Sequence, residues 1–564
     1  MSSSHRTSQD VSAVIYRLPP CPDPGYMNAT HLHICCFDPS QGQDEMLQLD
    51  RLFALLRVVH SLKSLTLTLH KDVDLGSLAL SEDHLRLDDL EHLVLNLYDD
   101  NRVVAPVMRR LLLPNPALRI DINMKIYEGY VSRMKNLGLL ELCPSYTDPD
   151  RSAVWCNISE SASLSIVELG VYHLEKDTEL RHVPTMRISM EDPHGEFFAR
   201  TFHRGYLPAF LRSRHAIESL TVDFTRMLSL DDLLCALNAT LALEFFSLRF
   251  SGSGASFSVS SSIDQIAKPN LKHLKNISIN CDDLPHYALA HEVISRVKVR
   301  DSNQCDIHVI ASRRIANSLR ATGGYGNRGV LGVAPLDLDP NRCVTWCHLR
   351  ISSASCSLRG ATPYRKHSIC GPSFDFEQDD PSNFSSLDML RDLPSFLETR
   401  PTITQLWITA EQKVQSRMLS QWSDIWARYL TSVPNLEEVV LGLDIFTSYG
   451  AHRSPIGDAR GLGFALSQSS PVLCPKLKQL LLTFTNSQSN TQLEDVLAAI
   501  LQMVKDRWNL GAPLGAVVLV TNKVSYLNVR ETVILKELES YGIDLEFQEP
   551  DPRGLVDFDC PRRI

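Results

Sequence analysis

What the chain lacks narrows its class before any motif is sought. No stretch approaches the ~18 uninterrupted apolar residues of a membrane span. The amino-terminal segment MSSSHRTSQDVSAVIYRLPPCP sets one basic residue, Arg6, before a short mixed stretch that ends in prolines. It has no apolar run of signal-peptide length and no small-residue cleavage site behind one. An intracellular protein, cytoplasmic or nuclear and without a membrane partner, is therefore expected. Its 14 cysteines then read as thiols of a reducing compartment, not as a disulfide framework. The sequons at Asn28, Asn157, Asn238, Asn276 and Asn383 read as chance matches. Excess positive charge is missing too: 56 Lys and Arg face 66 Asp and Glu, a net of −10. Phosphate binding needs a concentrated basic face, so nucleic acid is not expected as a ligand. The pairs Arg109–Arg110 and Arg313–Arg314 read as solvated helix ends.

Signatures of catalysis are also missing. There is no G-x-S-x-G and no G-x-x-x-x-G-K-[ST] phosphate loop, and HEVIS (291–295) lacks the second histidine of H-E-x-x-H. Gly324, Gly326 and Gly329 satisfy G-x-G-x-x-G, which holds a dinucleotide only in a tight turn between a strand and a helix. Here the nearest strand candidate, DIHVI (306–310), ends more than ten residues earlier, and the following VLGVAPLDLDP has no helical face. The glycines read as linker. Cys343, Cys347, Cys356 and Cys370, with His348 and His367 nearby, are the nearest approach to a metal set. A structural zinc site usually takes ligands in close pairs, because one tight turn then presents two of them to a tetrahedral ion. No repeated pair occurs here, so neither metal nor cofactor is expected. The acid pairs Asp99–Asp100, Asp282–Asp283 and Asp379–Asp380 sit at expected strand ends or in loops, where they solvate turns. The chain reads as no enzyme; an enzyme with a site in 311–385 is the alternative from another class.

What is present is apolar residue in quantity, 44% against 22% charged, enough to bury a large core. At 564 residues the chain makes three or four ordinary domains or one long repeat array. One pattern recurs: a helix-like stretch, a break, and a strand of the form φ-x-x-φ-x-φ. It is carried by LKSLTL (Leu62), LEHLVL (Leu90), IESLTV (Ile217), LEFFSL (Leu243), LKNISI (Leu274), ITQLWI (Ile403), LEEVVL (Leu436), LKQLLL (Leu477) and LGAVVL (Leu514). Neighbouring copies start roughly 26–41 residues apart, room for one strand, one helix and two connections. Pro401, Pro434 and Pro475 each stand two residues before the first apolar position, with looser versions at Pro116 and Pro269. Proline has no donor and clashes with a preceding helical turn, so it stops a helix where a strand must start.

The intervening stretches fit helices. Thr491 and Glu494 form a capping-box pair before an apolar face of Val496, Leu497, Ile500, Leu501, Val504 and Trp508. Ser229 and Asp232 do the same for Leu233, Leu234 and Leu237, while Met46, Leu49, Leu52, Phe53 and Leu56 line another face. A strand with one apolar face and a helix with one apolar stripe bury neither alone; stacked units share a core. The expected fold is α/β, an irregular leucine-rich-repeat-like solenoid with parallel strands on one face and helices on the other. Four parts are expected: an extension (1–40), an amino-terminal repeat segment (41–310), an insertion or linker (311–385) without sustained period, and a carboxy-terminal repeat segment (386–564). SGSGASFSVSSS (251–262) reads as a loop.

LCPKLKQLLLTF (473–484), LEDVLAAILQMVKDRWNLGAPLGAVVLV (493–520) and LKELESYGIDLEF (535–547) resemble the tail of fungal F-box/leucine-rich-repeat-like proteins. In that family a CPxLxxLxL strand precedes a helix ending in V-x-x-R-W, then a last strand and a short closing helix. The likeness covers about 386–564 and, more loosely, the other repeats. It implies a substrate receptor of a cullin-based ubiquitin ligase, docked on the ligase adaptor by an amino-terminal F-box that begins near a Leu-Pro. Leu18-Pro19-Pro20 matches that beginning, but Cys21-Pro22-Asp23-Pro24-Gly25 follows, and three prolines with a glycine do not continue as a helix. The leading expectation is a non-enzymatic solenoid that recognises a protein partner; the ligase receptor with a divergent F-box is its rival. Alternation turns Thr66, Val94, Thr221 and Ser247 outward in one half, and Trp407, Val440, Leu481 and Val518 in the other. The last four are expected to form an exposed apolar stripe that binds the partner, anchored by Trp407.

Overall fold

The computed structural model describes residues 11–15, 24–35, 47–69, 73–74, 84–98, 107–108, 110–115, 118–125, 153–160, 164–174, 180–191, 208, 211–212, 214, 216–224, 228–250 and 257–258. Beyond these it describes 269–281, 284–297, 305–312, 345–351, 355–361, 374–379, 393–398, 400–410, 422–443, 462–467, 472–484, 490–520 and 533–548. The chain separates into two compact units. Unit 1 is Met1–Leu274 with Arg296–Arg300; unit 2 is Lys275–Ser295 with Asp301–Ile564. The division thus falls at Leu274/Lys275 and not in the stretch 311–385, which instead supplies strands to unit 2.

In unit 1, β1 (Ser12–Ile15), β2 (His31–Cys35), β3 (Ser64–Leu69), β4 (His92–Tyr98) and β5 (Arg119–Lys125) run parallel, each beside the next. Then come β6 (Trp155–Glu160), β7 (Leu164–Leu174) and β8 (Leu180–Glu191), an antiparallel meander entered in reverse. β8 pairs parallel with β5, and β6 pairs parallel with β9 (Ser219–Phe224), which is followed by β10 (Phe245–Phe250). Helices α1 (Leu49–Val58) and α2 (Leu230–Ala239) stand between strands.

Unit 2 repeats this winding. β11 (Asn276–Cys281), followed by α3 (Leu284–Arg296), pairs parallel with β12 (Asp306–Ser312). β13 (Trp346–Ile351), β14 (Ser355–Ala361) and β15 (Phe374–Asp379) form the second meander, with β15 parallel to β12. β16 (Gln405–Ala410) lies parallel to β13. After it, α4 (Trp422–Ser432), β17 (Glu438–Leu443), β18 (Gln479–Phe484), α5 (Asn490–Asn509), β19 (Ala516–Val520), α6 (Val533–Ser540) and β20 (Asp544–Gln548) complete a parallel run. The protein is a mixed α/β molecule whose sheet is mostly parallel.

The strands that carry the sequence pattern bury the side-chain row that it marks. Leu65, Leu67, Leu93, Leu95, Ile120, Ile122, Leu220 and Val222 are all buried in unit 1; Leu406, Ile408, Val439, Leu441, Leu480, Leu482, Val517 and Leu519 are buried in unit 2. The apolar positions of the helices, such as Leu52, Phe53 and Leu56 of α1 or Leu233, Leu234 and Leu237 of α2, are buried too. We call this row the inner face and the alternate row the outer face.

The turns before the strands explain the proline prefix. Val433–Leu436 closes with Leu436 N–H donating to the Val433 carbonyl (3.1 Å), and Cys474–Leu477 and Arg400–Ile403 close alike. The proline takes the second position, where its fixed φ suits the turn and no donor is needed. The residue ahead of each strand then offers one carbonyl to two amides of the next strand's start. Thr404 O accepts from Glu437 (2.7 Å) and Glu438 (3.0 Å), Glu437 O from Lys478 and Gln479, and Lys478 O from Gly515 and Ala516. Thr30 O and Lys63 O serve β3 and β4 in the same way.

Candidate functional site

The four residues expected as a binding stripe do lie in one register: Trp407 opposite Val440, Val440 opposite Leu481, Leu481 opposite Val518. They are not an exposed stripe. Trp407 is 6% exposed, Val440 and Val518 are 1%, and Leu481 is half-buried. The physical reason is visible in the strands QLWITA, EVVLGL, QLLLTF and AVVLV. Parallel strands covered on both faces read as continuous apolar runs, whereas a strand with one wet face alternates. In unit 1 the strands do alternate, as in HLVLNLY and RIDINMK, and there Thr66, Val94, Thr221 and Ser247 are half-buried.

Around Trp407 the outer face of unit 2 gathers polar and aromatic groups. Register sets Gln405 between Trp346 on one side and Glu438 on the other, and His348 beside Trp407. The Trp346, His348 and Trp407 rings form a triangle. Their centroids are 5.5 Å apart between the tryptophans, 5.8 Å between Trp346 and His348, and 5.9 Å between His348 and Trp407, all tilted or edge-on. Such geometry sets the positive ring edge against the negative face. His348 and Trp407 are buried, while Trp346, Gln405 and Glu438 are half-buried. Glu438 accepts from Gln405 Nε2 on one oxygen and from Trp407 Nε1 on the other, both at 3.1 Å. Burial pushes its carboxyl above the ordinary range, and the two hydrogen bonds offset this only in part. The Trp346 indole N–H is buried and meets no acceptor among the described residues.

Unit 1 presents a different outer face. His33 Nε2 meets Thr68 Oγ1 (3.0 Å), Asn96 Nδ2 donates to the same oxygen (3.2 Å), and Asn123 Nδ2 donates to Asn96 Oδ1 (2.9 Å). One row below, Asp121 takes His92 Nε2 on one oxygen (2.7 Å) and Arg119 Nε on the other (3.1 Å). Farther across, Arg187 pairs with Glu168 (3.4 Å) and Lys125 with Glu191 (3.1 Å). The hydrogen bonds run from β2 to β5, and the Lys125–Glu191 ion pair joins β5 to β8. At the leading ends of the same strands lies an open cavity of about 610 Å³, lined by Thr30, Lys63, Asp89, Glu91 and Asn115 among others. Composition and motif searches did not reveal this lattice. The signal was the polar residue at every second place of β5, with His92 and Asn96 in the matching row of β4, which alternation predicts to share a face.

Other notable groups are structural. Arg507 of α5 is fully buried and donates to the carbonyls of Leu473 and Cys474, both at 3.0 Å. The Cys474 thiol approaches the carbonyls of Leu430 and Val433 at the end of α4, and burial pushes it up to about 12. That joins the cysteine and arginine of the two motifs quoted above into one contact. Trp508, expected in the buried stripe of α5, is 51% exposed, because the inward position of that turn is taken by Arg507. Cys347 is buried on the inner face with its thiol likewise up to about 12, whereas its neighbour His348 lies on the outer one. Cys343, Cys370 and His367 lie outside the described residues, as do Gly324, Gly326 and Gly329. The cysteines that the structure describes are thiols. No helix among the described residues is long and apolar enough to cross a membrane.

No protein-family model matches the chain, and no curated protein matches its sequence significantly.

Proposed function

We propose that the chain is a non-enzymatic, leucine-rich-repeat-like solenoid that recognises a protein partner through the outer sheet face of unit 1. The solenoid reading is supported by the repeated carbonyl that accepts two amides of the next strand. It is supported as well by short second ladders one repeat apart: Leu47–Gln48 with Val73–Asp74, Leu85–Arg86 with Leu111–Leu112, and Leu228–Ser229 with Phe257–Ser258. Stacked units that pair twice, once in the main sheet and once beyond the strand, are what repeat arrays require. The observation that carries the binding reading is the polar lattice from His33 to Asn123 and from His92 to Arg119. Side chains locked to one another lose little freedom when a partner docks, so more of the contact energy appears as affinity. On this reading the protein works in the cytoplasm or nucleus.

The test is capture of partners from the native cell by wild type and by Val94→Arg and Asn96→Arg variants, compared by quantitative mass spectrometry. Both positions are half-buried on the outer face, so folding is expected to survive and the principal partner to be lost. Equal capture by both folded variants would move the site elsewhere.

One observation favours the rival, a ubiquitin-ligase substrate receptor: the contact of Arg507 with Leu473 and Cys474 ties together the two motifs that carry the family likeness. Against it, the described part of residues 1–60 holds β1, β2 and α1 rather than a run of helices. Pull-down with the ligase adaptor separates the two, since retention requires an F-box. For the enzyme alternative, metal analysis of purified protein is the direct check, and substoichiometric zinc would end that version.

A further inference from the structure

We propose that the outer face of unit 2 holds a second recognition site, at Glu438, Gln405, Trp346, His348 and Trp407, for a basic side chain, arginine or lysine, of a protein partner. This site is separate from the surface assigned in unit 1 and does not rest on it.

The first observation is charge without a counter-charge. The Glu438 carboxylate receives hydrogen bonds from two neutral donors, Gln405 and Trp407, and among the described residues no cation pairs with it. Lys478, just ahead of the next strand, is held by Glu437 at 2.8 Å. Each oxygen keeps a free lone pair, which suits a guanidinium or ammonium donor. The second is the ring triangle. Trp407, the donor to Glu438, has its ring 5.5 Å from that of the half-buried Trp346, so a cation at Glu438 comes within reach of indoles that attract it through the ring quadrupole.

The third comes from comparing the two units. Trp346 opens β13 as Trp155 opens β6, and both precede a cysteine that faces the inner core. Trp155 Nε1 donates to the Val171 carbonyl at 3.1 Å. That carbonyl exists because β7 runs past Gly170, the residue opposite Trp155. In unit 2 the residue opposite Trp346 is Ala361, and β14 ends there. Among the described residues the Trp346 indole N–H is left buried and without an acceptor, a costly state for a donor. A ligand that satisfies the site therefore brings both a cation for Glu438 and an acceptor for Trp346. A peptide offers the two together, as its side chain and its main-chain carbonyl; a simple polyamine has no acceptor. This commits the site to a protein partner.

The experiment titrates the full chain with acetyl-Gly-Arg-Gly-amide and with the citrulline peptide, its neutral isostere, while following the indole N–H resonances by NMR. The expected result is saturable shifts of the Trp346 and Trp407 signals by the arginine peptide, with Kd on the order of 1 mM, and none by the citrulline peptide. Glu438→Gln should weaken binding tenfold or more, and Trp346→Phe, which keeps a ring but loses the donor, about fivefold. Glu438→Gln keeps side-chain volume while Trp346→Phe removes part of the ring, so thermal melts check that both fold. Equal response to the two peptides, unchanged affinity in Glu438→Gln, or no saturable shift in wild type would each overturn the proposal. So would a large loss of stability in Glu438→Gln, which would show that a cation of the chain itself already occupies the carboxylate.

Discussion

Arg507 and Glu438 are two charges drawn out of water to opposite effect. Arg507 has its cost offset by two backbone carbonyls, that of Leu473 and that of Cys474, the second of which also closes the turn to Leu477. Burial pulls its guanidinium below the usual range, and the charge remains because an arginine titrates far above neutrality. Arg507→Met should destabilise unit 2 by about 1–3 kcal/mol in urea unfolding, since the buried Leu473 carbonyl loses its donor while that of Cys474 keeps the Leu477 N–H; no measurable cost would show that the Leu473 carbonyl finds water instead. Glu438 is the reverse case. Its folded carboxyl titrates above the ordinary value, so burial penalises the ionised form. Below the unfolded value, about 4.3, the group is neutral in both states and costs nothing; as pH rises through the folded value the penalty grows. Measured against Glu438→Gln, which has no such titration, the wild type should therefore gain stability as pH falls from 7 to 4. A difference between the two that stays constant with pH would show that the carboxylate is solvated.

At the scale of elements, the period-2 burial of the strands carries the core. Leu480 sits between Val439 and Val517 in the register and is 1% exposed. Leu480→Ala should cost about 2–5 kcal/mol, and Leu480→Asp should abolish cooperative melting of unit 2 by burying an unpaired charge. A soluble, cooperatively folded Leu480→Asp protein would show that this register is wrong. The ends of the last two helices rest on glycine. Gly511 and Gly542 both have φ of 71°, and Ala512 N–H reaches back to Arg507 O while Gly511 N–H reaches Trp508 O. That pair of bonds closes a helix through a left-handed residue. Gly511→Ala should lose about 1 kcal/mol by strain alone, seen as a lower urea midpoint with an unchanged slope. The same end of α5 shows the limit of reading a helix by spacing. Apolar periodicity assigns Trp508 to the core, but the carbonyls below that turn call for a donor, and Arg507 supplies it.

At the scale of the molecule, each unit has its own buried rows and its own meander wound into a parallel run. Residues 275–564, which contain unit 2, should fold alone and melt cooperatively; a molten product lacking near-ultraviolet dichroism would mean that its core needs unit 1. The meanders were nearly invisible in the sequence. Residues 346–379 carry no φ-x-x-φ-x-φ period and were expected to be an insertion or linker. They contribute three strands because their hydrogen bonds come from neighbours far along the chain, β12 and β16. A signal did exist: Trp-Cys at 155–156 and again at 346–347, with Ser-Ala-Ser at 161–163 and at 353–355. The sequence by itself determined what depends on local chemistry. Proline and the apolar spacing set where turns end and strands begin, and alternation set which residues share a face. Whether that outer face is wet or covered depends on what the rest of the chain brings to it, which no local window contains. That is why Trp407, Val440 and Val518 were assigned correctly to one row and wrongly to the surface. Only the tertiary structure put Glu438 and Trp346 beside Trp407 from strands up to about ninety residues apart, and only there did an unpaired acid and an unused indole donor become a site.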